Sequence, residues 1–292
     1  MHKPSSETVI DTDSFNALAE LTYRESGLQL AIEKTSMLQS RLRHRLSALG
    51  LQDFANYSAF VCSEEGKTER RHMISALTTN VSHFFREKHH FEILKRHIQS
   101  ELLPKLRSGG RVRVWSAGCS NGQEALSIAM TFLELAVEVT ELDLRILATD
   151  IDPSVIQFAK KASYQKRLVE NIPEDLLQKY FTRSEREGDS FYVASEKILQ
   201  LVRYRELNLL SDWPITQRID VVFCRNVVIY FDVPTQNLLW PRFKEVLGPA
   251  GILFLGHSER ISNPESFGFA SDGPTTYRAS VLGAGSSNSL KD

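Results

Sequence analysis

Four short stretches of the chain put small and polar residues where a core would not place them. The first follows an apolar run, Val112-Arg-Val-Trp-Ser-Ala117, and reads Gly118-Cys-Ser-Asn-Gly122. Glycines directly after a strand let the backbone approach a ligand, and a helix starting there presents unpaired N–H groups. The Gly-x-x-x-Gly spacing is not the GxGxxG of a pyrophosphate-binding dinucleotide site. A plain strand–helix turn would use the same residues. The second stretch, Ala148-Thr-Asp150-Ile-Asp152, ends the next apolar run. A carboxylate at Asp150 is placed to accept both hydroxyls of a ribose. Asp152, immediately before Pro153, reads instead as a helix cap. Together Gly118, Gly122 and Asp150 point to an adenosine ligand without a pyrophosphate, most economically S-adenosylmethionine.

The third stretch is Phe223-Cys-Arg225-Asn226-Val-Val-Ile-Tyr230-Phe-Asp232, after a fully apolar strand. Arg and Asn are poor core residues and need partners there; ordinary loop polarity is the plainer explanation. The fourth is Thr78-Thr-Asn80-Val-Ser82-His-Phe84-Phe85-Arg86. Phe84 and Phe85 fit a hydrophobic staple on the next helix, which leaves Asn80, Ser82 and Arg86 unexplained.

The elements that must position these residues fall into two blocks. Residues 11–77 read as helices: one capped by Asp13 or Ser14 and ended by Gly27, one over 34–49 with Leu38, Leu42, Leu46 and Leu49 on one face, then 54–62 and 69–78. Residues 78–110 form a linker and a long helix over 88–103. From Arg111 strands and helices alternate: strands at 112–117, 144–149, 219–224 and 251–256, helices at 124–137, 153–161 and 234–247. Alternation of this kind implies an α/β fold with a doubly wound parallel sheet. Short strands at Phe191–Ala194 and Leu199–Tyr204 suggest an antiparallel insertion over about 183–205. Residues 281–292 read as a disordered tail.

The chain has 292 residues, enough for about two domains. It is 42% hydrophobic and 24% charged with a net charge of −1, which excludes a disordered chain and gives no global attraction to nucleic acid. No apolar run approaches the ~18 residues of a membrane span. Three separated cysteines, without a CxxC, fit a reduced cytoplasmic protein and argue against a zinc site. His83, His89, His90 and His257 are expected to play packing or surface roles, with no metal.

Taken together, Thr78-Thr-Asn-x-Ser-x-Phe-Phe-Arg86, Cys224-Arg-Asn-Val-x-Ile-Tyr-Phe-Asp232 and Leu253-Phe-x-Gly-His-Ser-Glu259 resemble the CheR family, the chemotaxis receptor glutamate O-methyltransferases. The resemblance covers residues 12–280. It implies a Rossmann-like class I methyltransferase domain (111–280) behind a helical N-terminal domain, with a small inserted antiparallel β-subdomain. It implies S-adenosylmethionine contacts at Asn80, Ser82, Arg86, Gly118, Glu124, Asp150, Asn208, Leu209, Arg225 and Asn226, with S-adenosylhomocysteine as product. Two departures stand out: Ser82 replaces the family's Thr but keeps a hydroxyl, so binding there is expected to be kept, and Gly122-Gln-Glu-Ala-Leu-Ser127 replaces Gly-Glu-Glu-Pro-Tyr-Ser, which is expected to alter affinity without abolishing the site. Arg86 and Tyr230 are the expected catalytic pair, orienting an attacking carboxylate.

Between Glu33 and Asp53 the chain has no acidic residue, while Lys34, Arg41, Arg43, His44 and Arg45 are present. A solvated helix face would look the same; the resemblance implies docking of Arg41, Arg43, His44 and Arg45 on the acidic cytoplasmic helices of methyl-accepting chemoreceptors. Some relatives also bind a receptor C-terminal peptide through a glycine-rich loop. The matching stretch Arg183–Ser190 has one glycine, so tether-independent action is expected, by a monomer. A DNA methyltransferase would need an Asn/Asp-Pro-Pro-Tyr-like segment after the fourth strand and is disfavoured. A non-catalytic S-adenosylmethionine sensor is the competing reading, against which Arg86 and Tyr230 both stand.

Overall fold

The computed structural model describes residues 9–186 and 188–280; the expected tail at 281–292 lies outside them. Four helices come first: α1 (Thr12–Ser26), α2 (Thr35–Leu49), α3 (Phe54–Cys62) and α4 (Lys67–Leu77). The carboxylate of Asp11, rather than Asp13 or Ser14, caps α1 by accepting the Ser14 N–H at 2.8 Å. Gly27 ends α1 at φ 72°, a conformation that costs a glycine little. Leu38, Leu42 and Leu46 lie at i, i+4 and i+8, so one face of α2 enters a core with Phe15, Leu18, Tyr57 and Met73. Leu49, expected on that face, is 37% exposed at the last residue of α2.

The helix expected over 88–103 is interrupted. α5 (Lys88–His97) passes through a π-helical turn at Ile98–Leu102 into α6 (Leu103–Arg107). Pro104 lacks an N–H and its ring crowds the carbonyl four residues back, so the ladder widens just before it.

The rest is α/β: β1 (Val112–Ala117), α7 (Gln123–Leu135), β2 (Leu144–Asp150), α8 (Pro153–Lys161), β3 (Ser163–Gln165), α9 (Lys166–Val169), α10 (Glu174–Tyr180), β4 (Phe181–Arg186), β5 (Asp189–Ala194), α11 (Glu196–Leu199), β6 (Val202–Glu206), β7 (Ile219–Cys224), α12 (Val233–Val246), β8 (Leu247–Leu255), β9 (Phe269–Ser271) and β10 (Thr276–Ala279). The main sheet has the order β6-β2-β1-β7-β8-β10-β9. β6, β2, β1, β7 and β8 run parallel, and β10 and β9 close the edge antiparallel. Strands β1 and β7 are buried on both faces over most of their length, which is why they do not alternate between apolar and polar residues.

The insertion differs from the expected 183–205. Its sheet is β3-β5-β4, drawn from residues 163–194. Val202–Glu206 instead joins the main sheet, with Ile146 opposite Val202 and Asp150 opposite Glu206. Buried Val202 and Tyr204 alternate with exposed neighbours, a pattern that suits an edge strand of either sheet; only the packing of Val202 and Tyr204 into the large core decides between them.

Candidate active site

The carboxyl ends of β1, β2, β6 and β7 meet at one edge of the sheet, and residues 78–82 cross above them. Between lies a cleft whose walls include Asn80, Ser82, Arg86, Gly118, Glu124, Asp150, Asn208, Leu209, Arg225, Asn226 and Tyr230, together with Ser26 and Leu28 of the helical unit. Residues far apart in the chain are thus brought together, as the topology of an open α/β sheet demands.

The glycine loop is shaped by its neighbours. Gly118 stands at φ 85°, and a Cβ there would lie 2.2 Å from Val227 Cγ2, so no larger residue fits. The Gly118 and Cys119 N–H groups both donate to the Thr149 carbonyl at 2.8 Å. The Ser120 N–H donates to Asp150 Oδ2 at 2.8 Å, and the Asp152 N–H to Asp150 Oδ1 at 3.0 Å. Each Asp150 oxygen keeps one lone pair for a ligand hydroxyl. Burial raises the Asp150 pKa against those backbone bonds.

Below the loop lies a buried charge cluster. Arg225 Nη1 is 3.2 Å from Glu124 Oε2, Arg225 Nη2 is 3.4 Å from Glu87 Oε2, and Arg225 also donates to the Arg86 carbonyl. The guanidinium lies near the Phe91 and Phe223 rings, with its side chain 1% exposed. Glu124 Oε1 accepts from Ser116 Oγ at 2.6 Å. Burial raises the Glu124 pKa while Arg225 opposes it. Burial also raises that of Glu87, but Arg225 and the bonds from His257 outweigh it and hold Glu87 below its ordinary value. His90, buried against Glu87 and Arg225, is pushed down to about 3 chiefly by burial, so it is neutral at pH 7.

Glu124 offers a carboxylate to an ammonium, Asp150 keeps acceptor capacity for a ribose, and Asn226 Oδ1 is a buried acceptor with no partner among the described residues. That acceptor set fits the ammonium and ribose hydroxyls of S-adenosylmethionine.

Comparison with known proteins agrees. Residues 13–78 match the CheR methyltransferase all-alpha domain, and residues 80–274 the CheR methyltransferase SAM binding domain. The chain belongs to the CheR methyltransferase family. Within it, the chain is 44% identical over 265 residues to a probable chemotaxis protein methyltransferase of Rhizobium etli, covering 91% of this chain and 99% of the relative. It is 38% identical to chemotaxis protein methyltransferase 2 of Pseudomonas aeruginosa (85% and 87% covered), and 36% identical to the chemotaxis protein methyltransferase of Escherichia coli (91% and 90%). It is therefore an S-adenosylmethionine-dependent methyltransferase of bacterial chemotaxis type. Among the described residues no helix is long and apolar enough to cross a membrane.

In this CheR chain the expected catalytic pair lines the cleft with donor groups to spare. Arg86 Nη1 donates to the Val81 carbonyl at 3.1 Å and its other N–H groups have no partner among the described residues. The Tyr230 hydroxyl likewise has none, while the Tyr230 carbonyl accepts from Gln29 N–H at 3.1 Å. Phe85 packs on Phe91 of α5 as a staple would, but Phe84 enters the insertion between Tyr164 and Phe181. Of the departures from the family pattern, Gln123 is fully buried and donates to the Ser82 carbonyl at 3.3 Å, holding the linker, and Ala125 and Leu126 are core.

Two of the expected docking cations also make bonds within the chain. Arg41 donates to the carbonyls of Leu77 (2.7 Å) and Thr78 (2.8 Å) and to Thr79 Oγ1 (2.9 Å), capping α4. Arg45 makes a two-pronged bond to the buried Glu69, which also accepts from Tyr57 Oη at 3.0 Å. The i+3/i+4 geometry that brings them beside the leucine stripe turns them toward α4, whereas Arg43 and His44 face solvent.

Sequence reasoning gave no role to Glu259, quoted only within a family block, and missed Glu87. Glu259 is 3% exposed, and its carboxylate accepts the N–H groups of Gly256 (2.6 Å), Asn226 (2.8 Å), Val227 (2.8 Å) and Ile229 (3.1 Å). It thereby holds the loop that carries Asn226 and Tyr230. A carboxylate four residues after an apolar strand was the available signal; three of its four partners, about thirty residues away, left no local trace. The histidines also come together more than expected: ligand atoms of Glu87, His89 and His90 lie within 4.8 Å of one another, with Arg225 already supplying a cation to Glu87.

Proposed function

We propose that the enzyme methylates glutamate side chains on the cytoplasmic helices of chemoreceptors, giving glutamyl methyl esters. The observation that carries this reading is the pair of donors, Arg86 and Tyr230, left without full partners in the wall of the cofactor cleft. S-adenosylmethionine supplies a methyl group on a sulfonium, open to displacement by a carboxylate oxygen. A glutamate is already ionised at pH 7, so no general base is needed. The Arg86 guanidinium presents a fork of donors that matches a carboxylate. The Tyr230 hydroxyl donates one hydrogen bond that fixes which oxygen faces the methyl. Asn80, Ser82 and the glycine loop bind and exclude water, so positioning supplies the rate.

Arg43 and His44, both exposed on α2, are the cations we assign to the acidic receptor helices. We also propose that the enzyme acts in the cytoplasm, as a monomer, without a receptor tethering peptide. The β4–β5 hairpin supports this: pairing continues to Arg186 opposite Asp189, and its outer face is closed by Arg183, Glu185 and Ser190 bonded to one another. Transfer of labelled methyl from S-adenosylmethionine to receptor-containing membranes tests the reading. Label on receptor-sized protein, released by mild base as methanol, is the expected result. Tight cofactor binding with no transfer to any receptor would favour the sensor instead.

A further inference from the structure

Asp152 was expected to be no more than the cap of α8, and it does cap it: Oδ1 accepts the Ser154 N–H at 2.8 Å and Ser154 Oγ at 2.7 Å. A cap needs only that. Yet the same Oδ1 accepts from Ser75 Oγ of α4 at 2.6 Å, and Oδ2 accepts from Asn80 Nδ2 at 2.7 Å. Asp152 is 1% exposed. One buried carboxylate therefore joins α8, the last turns of the helical unit, and the linker that crosses the cleft. Neither Ser75 nor Asp152 is part of the cleft wall; Asn80 is.

The chemistry of this contact orients Asn80. A carboxylate only accepts, so the amide must turn its NH2 toward Asp152, where it also reaches Thr78 Oγ1 at 3.3 Å. That leaves the amide oxygen for the cleft. The Asn80 carbonyl in turn accepts from Ser120 Oγ at 3.0 Å, so the linker is tied to the glycine loop as well. The Asp152 N–H closes the circuit by donating to Asp150 Oδ1 at 3.0 Å.

We propose that Asp152 and Ser75 form a latch that holds the linker closed over the cofactor, so that cofactor retention depends on how the helical unit is docked. Both are positioning residues, acting through Asn80. The inference rests on reading the cleft as an S-adenosylmethionine site. Coupling of this kind is reciprocal: a ligand that needs the linker closed also strengthens the docking of α4.

The test measures S-adenosylhomocysteine binding by calorimetry and its dissociation rate by stopped flow, on the full chain. Ser75→Ala is expected to weaken binding by about tenfold, carried mostly by faster dissociation. Ser75→Thr, which keeps the hydroxyl, is expected to restore it. Ser154→Ala removes a cap hydroxyl but leaves both latch bonds, and is expected to stay within about twofold of the unmodified chain. Hydrogen exchange of α4 should slow on adding S-adenosylhomocysteine in the unmodified chain and respond less in Ser75→Ala. Unaltered affinity and dissociation in Ser75→Ala, or an equal loss in Ser154→Ala, would overturn the latch alone. An unmodified chain that binds no S-adenosylhomocysteine would overturn the cofactor reading and the latch with it.

Discussion

Arg225 and Glu124, 101 positions apart, form a 3.2 Å ion pair beneath the cleft, each with little of its side chain exposed. Glu87 shares the same guanidinium, so one cation serves two buried carboxylates. Removing the cation leaves Glu124 with the Ser116 hydroxyl and Glu87 with its His257 bonds, but neither with the guanidinium that offsets its charge. Arg225→Met is expected to lose about 3–5 kcal/mol in urea denaturation. Glu124→Gln should lose less, because it removes a charge that burial already disfavours, while still weakening S-adenosylhomocysteine binding. Equal stability of Arg225→Met and the unmodified chain would contradict this account of the cluster.

His90 makes stability depend on pH. Its folded pKa of about 3 lies below its ordinary 6.5, mainly through burial and then through Arg225 and His89, with Glu87 and the Pro274 carbonyl opposing. Below 6.5 the unfolded chain takes up a proton that the folded one refuses. This contribution is therefore full above 6.5 and is lost as the pH falls toward 3. By about pH 5 it amounts to about 2 kcal/mol. His90→Gln should be less stable at neutral pH but lose about 2 kcal/mol less on acidification to about pH 5. Parallel pH profiles for the two proteins would rule the assignment out.

Glu259→Gln replaces one accepting oxygen with an NH2 that faces backbone N–H groups. Four bonds depend on that carboxylate, so about 2–3 kcal/mol of stability should go with it. Because the loop it holds carries Tyr230, kcat should fall further than the stability loss alone explains at a temperature where the variant is folded.

Tyr230→Phe removes only the hydroxyl. Roughly ten- to a hundredfold lower kcat with unchanged S-adenosylhomocysteine affinity is expected if that hydroxyl acts on the attacking carboxylate. Arg86→Ala should lower kcat more, with some loss of affinity because Arg86 also lines the cofactor cleft.

The cations of α2 should separate into two classes. Arg45→Ala leaves Glu69 buried without its charged partner and should cost about 3 kcal/mol. Arg43→Glu and His44→Glu should leave the unfolding curve in place and selectively raise KM for receptor membranes. Loss of stability in Arg43→Glu, or unaltered KM in both, would undo the docking assignment.

Local sequence settled a good deal. Strands β1 and β7 and helices α3 and α8 stand where their apolar patterns end, because burial on one face or both leaves a periodic trace. Gly27 and Gly50 stop their helices because only a residue without Cβ enters the left-handed region cheaply. The cleft residues were legible for a related reason: polar side chains just after buried strands have few places to go but the carboxyl edge of the sheet.

Partnership was not legible, since a hydrogen bond across the fold leaves no mark on the spacing of either residue. Val202–Glu206 alternates as any half-buried edge strand would, and only contact with β2 assigned it to the main sheet. Arg41 and Arg45 read as docking cations or a solvated face; only α4 packed beside them put the Leu77 carbonyl and Glu69 in their reach. Asp152 looked like a cap and is one; that it also holds Ser75 and Asn80 was decided by the docking of the helical unit, which brings two distant donors onto the same carboxylate.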